Sequence, residues 1–151
     1  MKQLKTLIII LLSVVAFSAC STDKTMIAKG VNLGKYEYAA LVATKNSFGT
    51  NTDIEIEPGV YDAIESTRLL MVGERRINDL TSDEKAKLVL AKYSATSSSD
   101  ESIISVSFED YMTGKTVASC RASSKSAWTR QRDVDRAINK LARRIVSIWG
   151  Y

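Results

Sequence analysis

The sequence predicts an α/β (α+β) two-layer sandwich, in which helices cover a mixed sheet of about five strands. Three observations favour this class. Ile104, Val106 and Phe108 alternate with polar residues, which is typical of a half-buried antiparallel strand. A second strand follows a turn that contains Gly114, and the chain ends in a long amphipathic helical pattern. The predicted order is β-α-β-(short α)-β-β-β-α, with the long C-terminal helix packed on the sheet.

The first half of the domain supplies a strand, a crossover helix and a second strand. Residues 36–43 are rich in aromatic and apolar side chains and predict a strand. Pro58 suits the first turn of a helix, which we predict over residues 58–66. The continuous apolar run 69–72 predicts a buried strand.

The second half begins with one or two helical turns and then forms a meander of strands. Thr81 and Ser82 are good N-cap residues for the helical turns. A strand over 87–97 leads into the hairpin. The returning strand, 116–122, carries only small side chains on one face, which allows a helix to approach closely: Thr116, Ala118, Cys120 and Ala122.

The last element carries the clearest helical pattern in the domain. Between residues 130 and 149, apolar residues recur at spacings of four and three, which predicts an apolar stripe facing the sheet. Trp149 is expected to help close the end of this helix. The stripe consists of Val134, Ile138, Leu141, Ile145 and Ile148.

The N-terminus has the pattern of an export signal. Lys2 and Lys5 precede an uncharged run that ends at Ala19, before Cys20. This run is shorter than the roughly 20 residues that a membrane-spanning helix requires. We therefore predict a signal peptide over residues 1–19, cleaved between Ala19 and Cys20, then a lipidated tether over 20–35 and a single periplasmic domain over 36–151.

The cleavage site resembles the lipobox of bacterial lipoproteins. Phe17, Ser18, Ala19 and Cys20 match its pattern except at Phe17, where leucine is commoner. The resemblance implies that the Cys20 thiol carries a diacylglycerol and the new amino group a further acyl chain such as palmitate, which together form a firm membrane anchor. Ser21 favours the outer membrane over the inner membrane. An ordinary signal peptide with a chance cysteine and an uncleaved anchor are the alternatives.

Several classes of chemistry are poorly supported by the composition. The chain has no histidine, so the usual general base, the serine–histidine and cysteine–histidine pairs and the commonest metal ligand are absent. Cys120 is the one cysteine left after lipidation. It is interpreted as a buried strand residue, with a reactive or intermolecular thiol as the alternative. We predict no enzyme activity, no cofactor and no metal site.

Charge is concentrated at the C-terminus. Residues 121–151 hold eight lysines and arginines against two aspartates, whereas residues 20–120 hold eleven basic and fifteen acidic residues. Over residues 20–151 the net charge is only +2, and together with the predicted export this small net charge argues against nucleic-acid binding. A basic helix face has two interpretations: a surface for lipid headgroups or a partner, or a solvated face that keeps the helix soluble. The candidate surface residues are Arg132, Arg136, Lys140, Arg143 and the loop residue Trp128.

The C-terminal half is similar to a group of periplasmic lipoproteins. The segments ISVSFEDYMTGKTVASC and DVDRAINKLARRIVSIW share the group's order of strand, Asp-x-x-Thr-Gly-Lys turn, strand and amphipathic helix. The group includes curli-secretion and penicillin-binding-protein-activator lipoproteins and the TolB N-terminal domain. The resemblance implies an accessory or scaffold protein of the cell envelope that binds other envelope proteins without catalysis. A surface-displayed ligand- or glycan-binding module is the alternative.

Overall fold

A computed structural model describes residues 23–42, 53–97, 101–125 and 129–150. Three residues with predicted roles lie outside these ranges: Ala19 and Cys20 at the predicted cleavage and lipidation site, and the proposed contact residue Trp128.

Six strands within the described ranges form one mixed sheet, which confirms the predicted fold class with one strand more than expected. Their order across the sheet is β1-β6-β5-β4-β2-β3. β2 runs parallel to β3 and β4, and the remaining neighbours are antiparallel. The strands are β1 Lys24–Ile27, β2 Tyr38–Val42, β3 Leu70–Met71, β4 Leu88–Ser97, β5 Ser102–Asp110 and β6 Thr116–Ser124.

The α-helices of the described ranges are α1 Asp53–Glu65, α2 Ser82–Ala86 and α3 Arg130–Trp149. The predicted bounds of α3 are confirmed. The predicted cap of α2 is also confirmed, because Thr81 and Glu84 form a reciprocal capping box. Shorter 3₁₀ turns lie at Leu33–Lys35 and Glu74–Asp79. In the described parts of the chain, no helix combines the length and the apolar character needed to cross a bilayer.

The two faces of the sheet are covered differently. α1 and α3 lie side by side on one face, where Val106, Phe108 and Leu141 belong to the main apolar core. On the other face, a small second cluster of Ala40, Ile77 and Leu88 lies under the Glu74–Asp79 turn. Alternating burial along β5 follows from this asymmetry, because successive side chains point to opposite faces.

The predicted start of the first helix is wrong. α1 begins at Asp53 and runs through Pro58, which lies in its second turn. Ile56, Val60 and Ile64 are buried at four-residue spacing on both sides of the proline. Burial of this continuous stripe offsets the single backbone hydrogen bond that a proline removes.

The predicted tether is also wrong in its C-terminal part. Residues Lys24–Ile27 form β1, which pairs with β6, and the Ala28 backbone N–H donates to the carbonyl of Val117 at 2.9 Å. The following segment contains the first 3₁₀ turn, so β1 and this turn belong to the folded domain. The prediction of a buried strand over residues 69–72 is wrong as well. β3 is a two-residue edge strand, and its Leu70 is 64 % exposed.

Candidate functional site

α3 presents a row of cations on the side away from its apolar stripe. Arg132, Arg136 and Arg143 are exposed, and their side chains form no hydrogen bond or ion pair with any part of the chain that the structure describes. Lys140 and Arg144 continue the row toward β1 and are only partly exposed. We call these five residues the basic surface.

Asp23 connects the basic surface to the beginning of β1. Its carboxylate accepts a hydrogen bond from the Ser123 backbone N–H at 2.8 Å and lies 3.4 Å from the Arg144 guanidinium and 3.8 Å from the Lys140 ammonium. Burial alone would raise the pKa of Asp23. The hydrogen bond and the two cations outweigh burial, so the pKa lies below its usual value.

The same two cations also bind the sheet directly. Lys140 donates to the Ser123 carbonyl at 2.8 Å, and Arg144 donates to the Thr25 hydroxyl at 3.2 Å. Of the predicted surface residues, the structure therefore brings Lys140 to β1 and leaves Arg132, Arg136 and Arg143 facing solvent. Asp23 was not predicted as a site residue, because its contact with Arg144 depends on the pairing of β1.

The edge at β1 is exposed and partly apolar. Met26 and Ile27 are 59 % and 51 % exposed, although both are large apolar side chains. Strand pairing places Lys24 beside Arg121 on the sheet face opposite α3. The outer edge of the sheet therefore carries cations on both faces, together with exposed apolar side chains.

α1 has the opposite charge to its neighbour α3. It contains five acidic residues and no basic ones, whereas α3 contains six basic residues and two acidic ones. The helices approach closely at Gly59, where an added Cβ would lie 2.7 Å from Cγ2 of Ile138. Tyr61, Asp62 and Glu65 are exposed on α1. We call these three residues the acidic flank.

A shallow groove of about 440 Å³ crosses the open face of the sheet. Four serine hydroxyls in two cross-strand rows line it, with Lys24 and Arg121 at one end. Within the described ranges, neither these hydroxyls nor these two cations have a hydrogen-bonding partner. The serines are Ser94, Ser105, Ser107 and Ser119.

The aspartate of the hairpin turn has a structural role. Asp110 accepts hydrogen bonds from Lys35 Nζ and the Tyr36 hydroxyl, both at 2.8 Å, and from the backbone N–H and hydroxyl of Thr113. Burial alone would raise the pKa of Asp110, but these donors hold it well below its usual range. Gly114 completes the turn with a φ of +66°. The Asp-x-x-Thr-Gly-Lys motif thus fixes the end of the hairpin.

Cys120 is buried on β6, which confirms the prediction of a buried strand thiol. Burial raises its pKa to about 12. Since the thiolate is the reactive form, this side chain is poorly suited to oxidation or nucleophilic chemistry at neutral pH.

Comparisons with known proteins find a similar fold without a sequence family. No protein-family model matches the chain, and no curated protein matches its sequence. Two solved structures of the PelC dodecamer from Paraburkholderia phytofirmans are similar to it, each with a TM-score of 0.59. Their identities are 9 % and 10 %, and the matches cover 85 % and 87 % of this chain and 99 % of each PelC chain. At this identity the likeness concerns the fold alone.

Proposed function

We propose that this chain is a lipid-anchored, non-enzymatic lipoprotein of the outer membrane that acts in the periplasm as an accessory or scaffold for other envelope proteins. The observation that carries this proposal is the lipobox-like segment ending at Cys20, followed almost at once by β1. Four peptide units separate Cys20 from Lys24, and they span at most about 14 Å. An acylated Cys20 would therefore hold the β1 edge and the basic surface close to the membrane.

The basic surface supports a binding role. Arg132, Arg136 and Arg143 have no partner within the described residues, and Asp23 orients the neighbouring Lys140 and Arg144. Arginine side chains are well suited to carboxylates on a partner protein. The planar guanidinium can form two parallel hydrogen bonds with a carboxylate, and these add directional specificity to the attraction between charges. The partner that supplies such a carboxylate can be another envelope protein.

The sequence supports an accessory role over catalysis. A chain without histidine lacks the commonest acid–base residue, and its sole cysteine downstream of the anchor is buried with a raised pKa. Both similar PelC structures are dodecamers. We take from this only that a chain of this fold can function within an assembly.

Replacing the anchor residue tests the proposal. Cys20→Ala in the full chain should move the protein from the membrane fraction to the soluble periplasmic fraction and abolish labelling by a palmitate analogue. Cys120→Ala is the matched control, because it removes the other cysteine and should leave membrane attachment and labelling unchanged. Retention of the Cys20→Ala protein in washed membranes would contradict the lipoprotein assignment.

The groove on the open sheet face favours a second candidate, a surface-displayed glycan-binding module. Its unpartnered serine hydroxyls suit a polyhydroxylated ligand, and Lys24 and Arg121 would add affinity for an acidic sugar. Protease treatment of whole cells would degrade the protein under this candidate and spare it under the first. Calorimetry with polygalacturonate would check the groove, since Arg121→Ala should weaken binding and the remote control Arg75→Ala should not.

A further inference from the structure

We propose that β1 and the cations beside it bind anionic phospholipid headgroups, so that the domain docks edge-on against the membrane that holds Cys20. This inference rests on the proposed function in one respect: it takes the membrane to lie next to Cys20 and names the part of the domain that contacts it. We call this surface the docking edge. It consists of β1 itself, Arg121 on β6, and Lys140, Arg143 and Arg144 on α3.

The length of chain between the anchor and the sheet places this edge at the membrane. Three peptide units separate Cys20 from Asp23, and they span at most about 11 Å. The headgroup layer of a bilayer is about 5–8 Å thick on each side. The start of β1 would therefore lie within or next to that layer. The opposite edge of the sheet, β3, is five strand spacings away, or about 24 Å.

Cations flank β1 on both faces of the sheet. Lys24 and its cross-strand neighbour Arg121 are exposed on the face opposite α3, and neither side chain has a partner within the described ranges. On the other face, Lys140 and Arg144 reach the beginning of β1 from α3. A sheet edge with cations on both faces is complementary to a layer of phosphates that it enters edge-on.

A shallow cleft of about 260 Å³ at this edge is suited to a lipid phosphate. It is lined by three cations and one carboxylate: Lys140, Arg143, Arg144 and Asp23. Asp23 binds two of the cations, but the third, Arg143, is exposed and its side chain has no partner in the described part of the chain. Its guanidinium can bind two phosphate oxygens without losing an existing contact.

β1 adds apolar side chains and an unpaired backbone edge, and together these define a depth. Met26 and Ile27 are exposed on opposite faces of the strand, and large apolar side chains beside cations favour the boundary between headgroups and acyl chains. The outer backbone groups of β1 have no strand partner within the described ranges, and such groups are excluded from the hydrocarbon layer. The strand backbone would therefore lie among the headgroups, with only its apolar side chains reaching the acyl boundary.

Docking in this way leaves part of the basic surface for a protein partner. Arg132 lies eight residues before Lys140 on α3, or about 12 Å along the helix axis. The inference thus separates lipid contacts at the docking edge from protein contacts farther along the helix. Headgroups beside β1 would also cover a strand edge that could otherwise pair with another chain.

A fluorescent label on β1 tests the contact in the anchored protein. Ile27→Cys is labelled with an environment-sensitive dye, because Cys20 is acylated and Cys120 is buried. The protein is then reconstituted into vesicles of phosphatidylcholine alone or of equal parts phosphatidylcholine and phosphatidylglycerol. We expect loss of quenching by a water-soluble quencher in the anionic vesicles only. The same label at Arg75→Cys, on an exposed turn, should stay quenchable in both.

Charge reversal tests the energetics without the anchor. The Cys20→Ala protein is floated with the same two kinds of vesicle at physiological ionic strength, and we expect weak binding to the anionic vesicles alone. Adding Lys24→Glu and Arg121→Glu should weaken this binding by about thirtyfold, since each basic residue near an anionic membrane contributes about fivefold.

Arg75→Glu with Arg76→Glu is the matched control, because it changes the net charge by the same amount. Both arginines are exposed, and their side chains have no partner among the described residues. Their turn packs on β2, four strand spacings from β1, or about 19 Å, which exceeds the Debye length of about 8 Å. The control should therefore lose little affinity if the contact is local to the docking edge.

Three results would overturn the inference: equal binding to neutral and anionic vesicles, equal losses for the two charge reversals, or an Ile27→Cys label that stays quenchable in anionic vesicles. The last result would leave this edge to a protein partner. None of them affects the lipoprotein proposal, which depends on release of the Cys20→Ala protein from membranes in cells. Retention there would contradict that proposal, while the labelling experiment would still decide whether the docking edge binds lipid.

Discussion

Asp110, at the end of the β5–β6 hairpin, and Asp23, at the start of β1, are both shielded carboxylates with lowered pKa values. Their side chains are 6 % and 14 % exposed. The groups that bind them differ. Asp110 accepts from its own turn, from the buried Tyr36 hydroxyl and from one cation, Lys35. Asp23 accepts from one backbone N–H and otherwise faces two long cations of α3.

This difference separates a well-buried region from a partly exposed one. At the hairpin end, a short turn and a buried tyrosine fix the donors in place. At the β1 edge, Lys140 and Arg144 remain partly exposed, so solvent screens their attraction to Asp23. We therefore expect mutations at the hairpin end to lower stability more than mutations at the β1 edge.

The largest expected effect comes from the aromatic cluster behind Asp110. Trp149 is fully buried and packs edge-on against Tyr36 and Phe108, with ring centroids 6.0 and 5.2 Å apart. Trp149→Ala should lower the free energy of unfolding by about 3–5 kcal/mol, measured by urea denaturation. The exposed Val146 on the same helix is the control, and Val146→Ala should change stability by less than about 0.5 kcal/mol. Equal effects at both positions would refute the assignment of the core.

Removal of the hairpin carboxylate should have the next largest effect. Asp110→Ala leaves the buried Tyr36 hydroxyl without its acceptor and should cost about 2–3 kcal/mol in urea denaturation at pH 7. Glu109→Ala, one residue earlier and more exposed, is the comparison. A smaller loss for Asp110→Ala than for Glu109→Ala would contradict the structural role.

The contribution of Asp110 to stability should depend on pH. Because the pKa of Asp110 is lowered in the folded state, its contribution is fully present above its unfolded pKa of about 3.9 and is lost as pH falls through the folded value. Stability of the unmodified chain should therefore decline below about pH 5, and Asp110→Asn should flatten this decline. An unchanged acid slope in the variant would show that other carboxylates control it.

The smallest effect is expected at the β1 edge. Asp23→Asn should lower the free energy of unfolding by about 1 kcal/mol or less, because its cationic partners are partly exposed. The loss should shrink further in high salt. A loss as large as that of Asp110→Ala would remove the distinction between the two regions.

Much of the fold follows from local patterns in the sequence. α3 was predicted to the residue because its apolar stripe repeats at helical spacing up to the buried Trp149. The hairpin was predicted from the alternation of apolar and polar residues along β5, which the alternating burial confirms, and from Gly114, which supplies the positive φ of the turn. The same helical spacing that places the apolar stripe against the sheet places three arginines on the outside of α3: Arg132, Arg136 and Arg143.

Features that depend on distant partners were missed. The sequence KTMI has no strong strand pattern of its own, and it becomes β1 because β6 offers it an edge. Asp23 could not be assigned to Arg144 without that pairing. The N-terminal turns of α1 were missed because Pro58 looked like a helix start, while burial of Ile56 decided otherwise.

The position of β1 also has a consequence in time. Asp23 and Ser123 are 100 residues apart in the chain, so β1 cannot pair until nearly all the rest has been synthesised. Closing so long a loop is slow compared with forming the β4–β5–β6 meander, whose pairings are local. Until β1 pairs with it, β6 is an unpaired sheet edge that can pair wrongly with another chain. We therefore expect β1 to be the last strand to join the sheet.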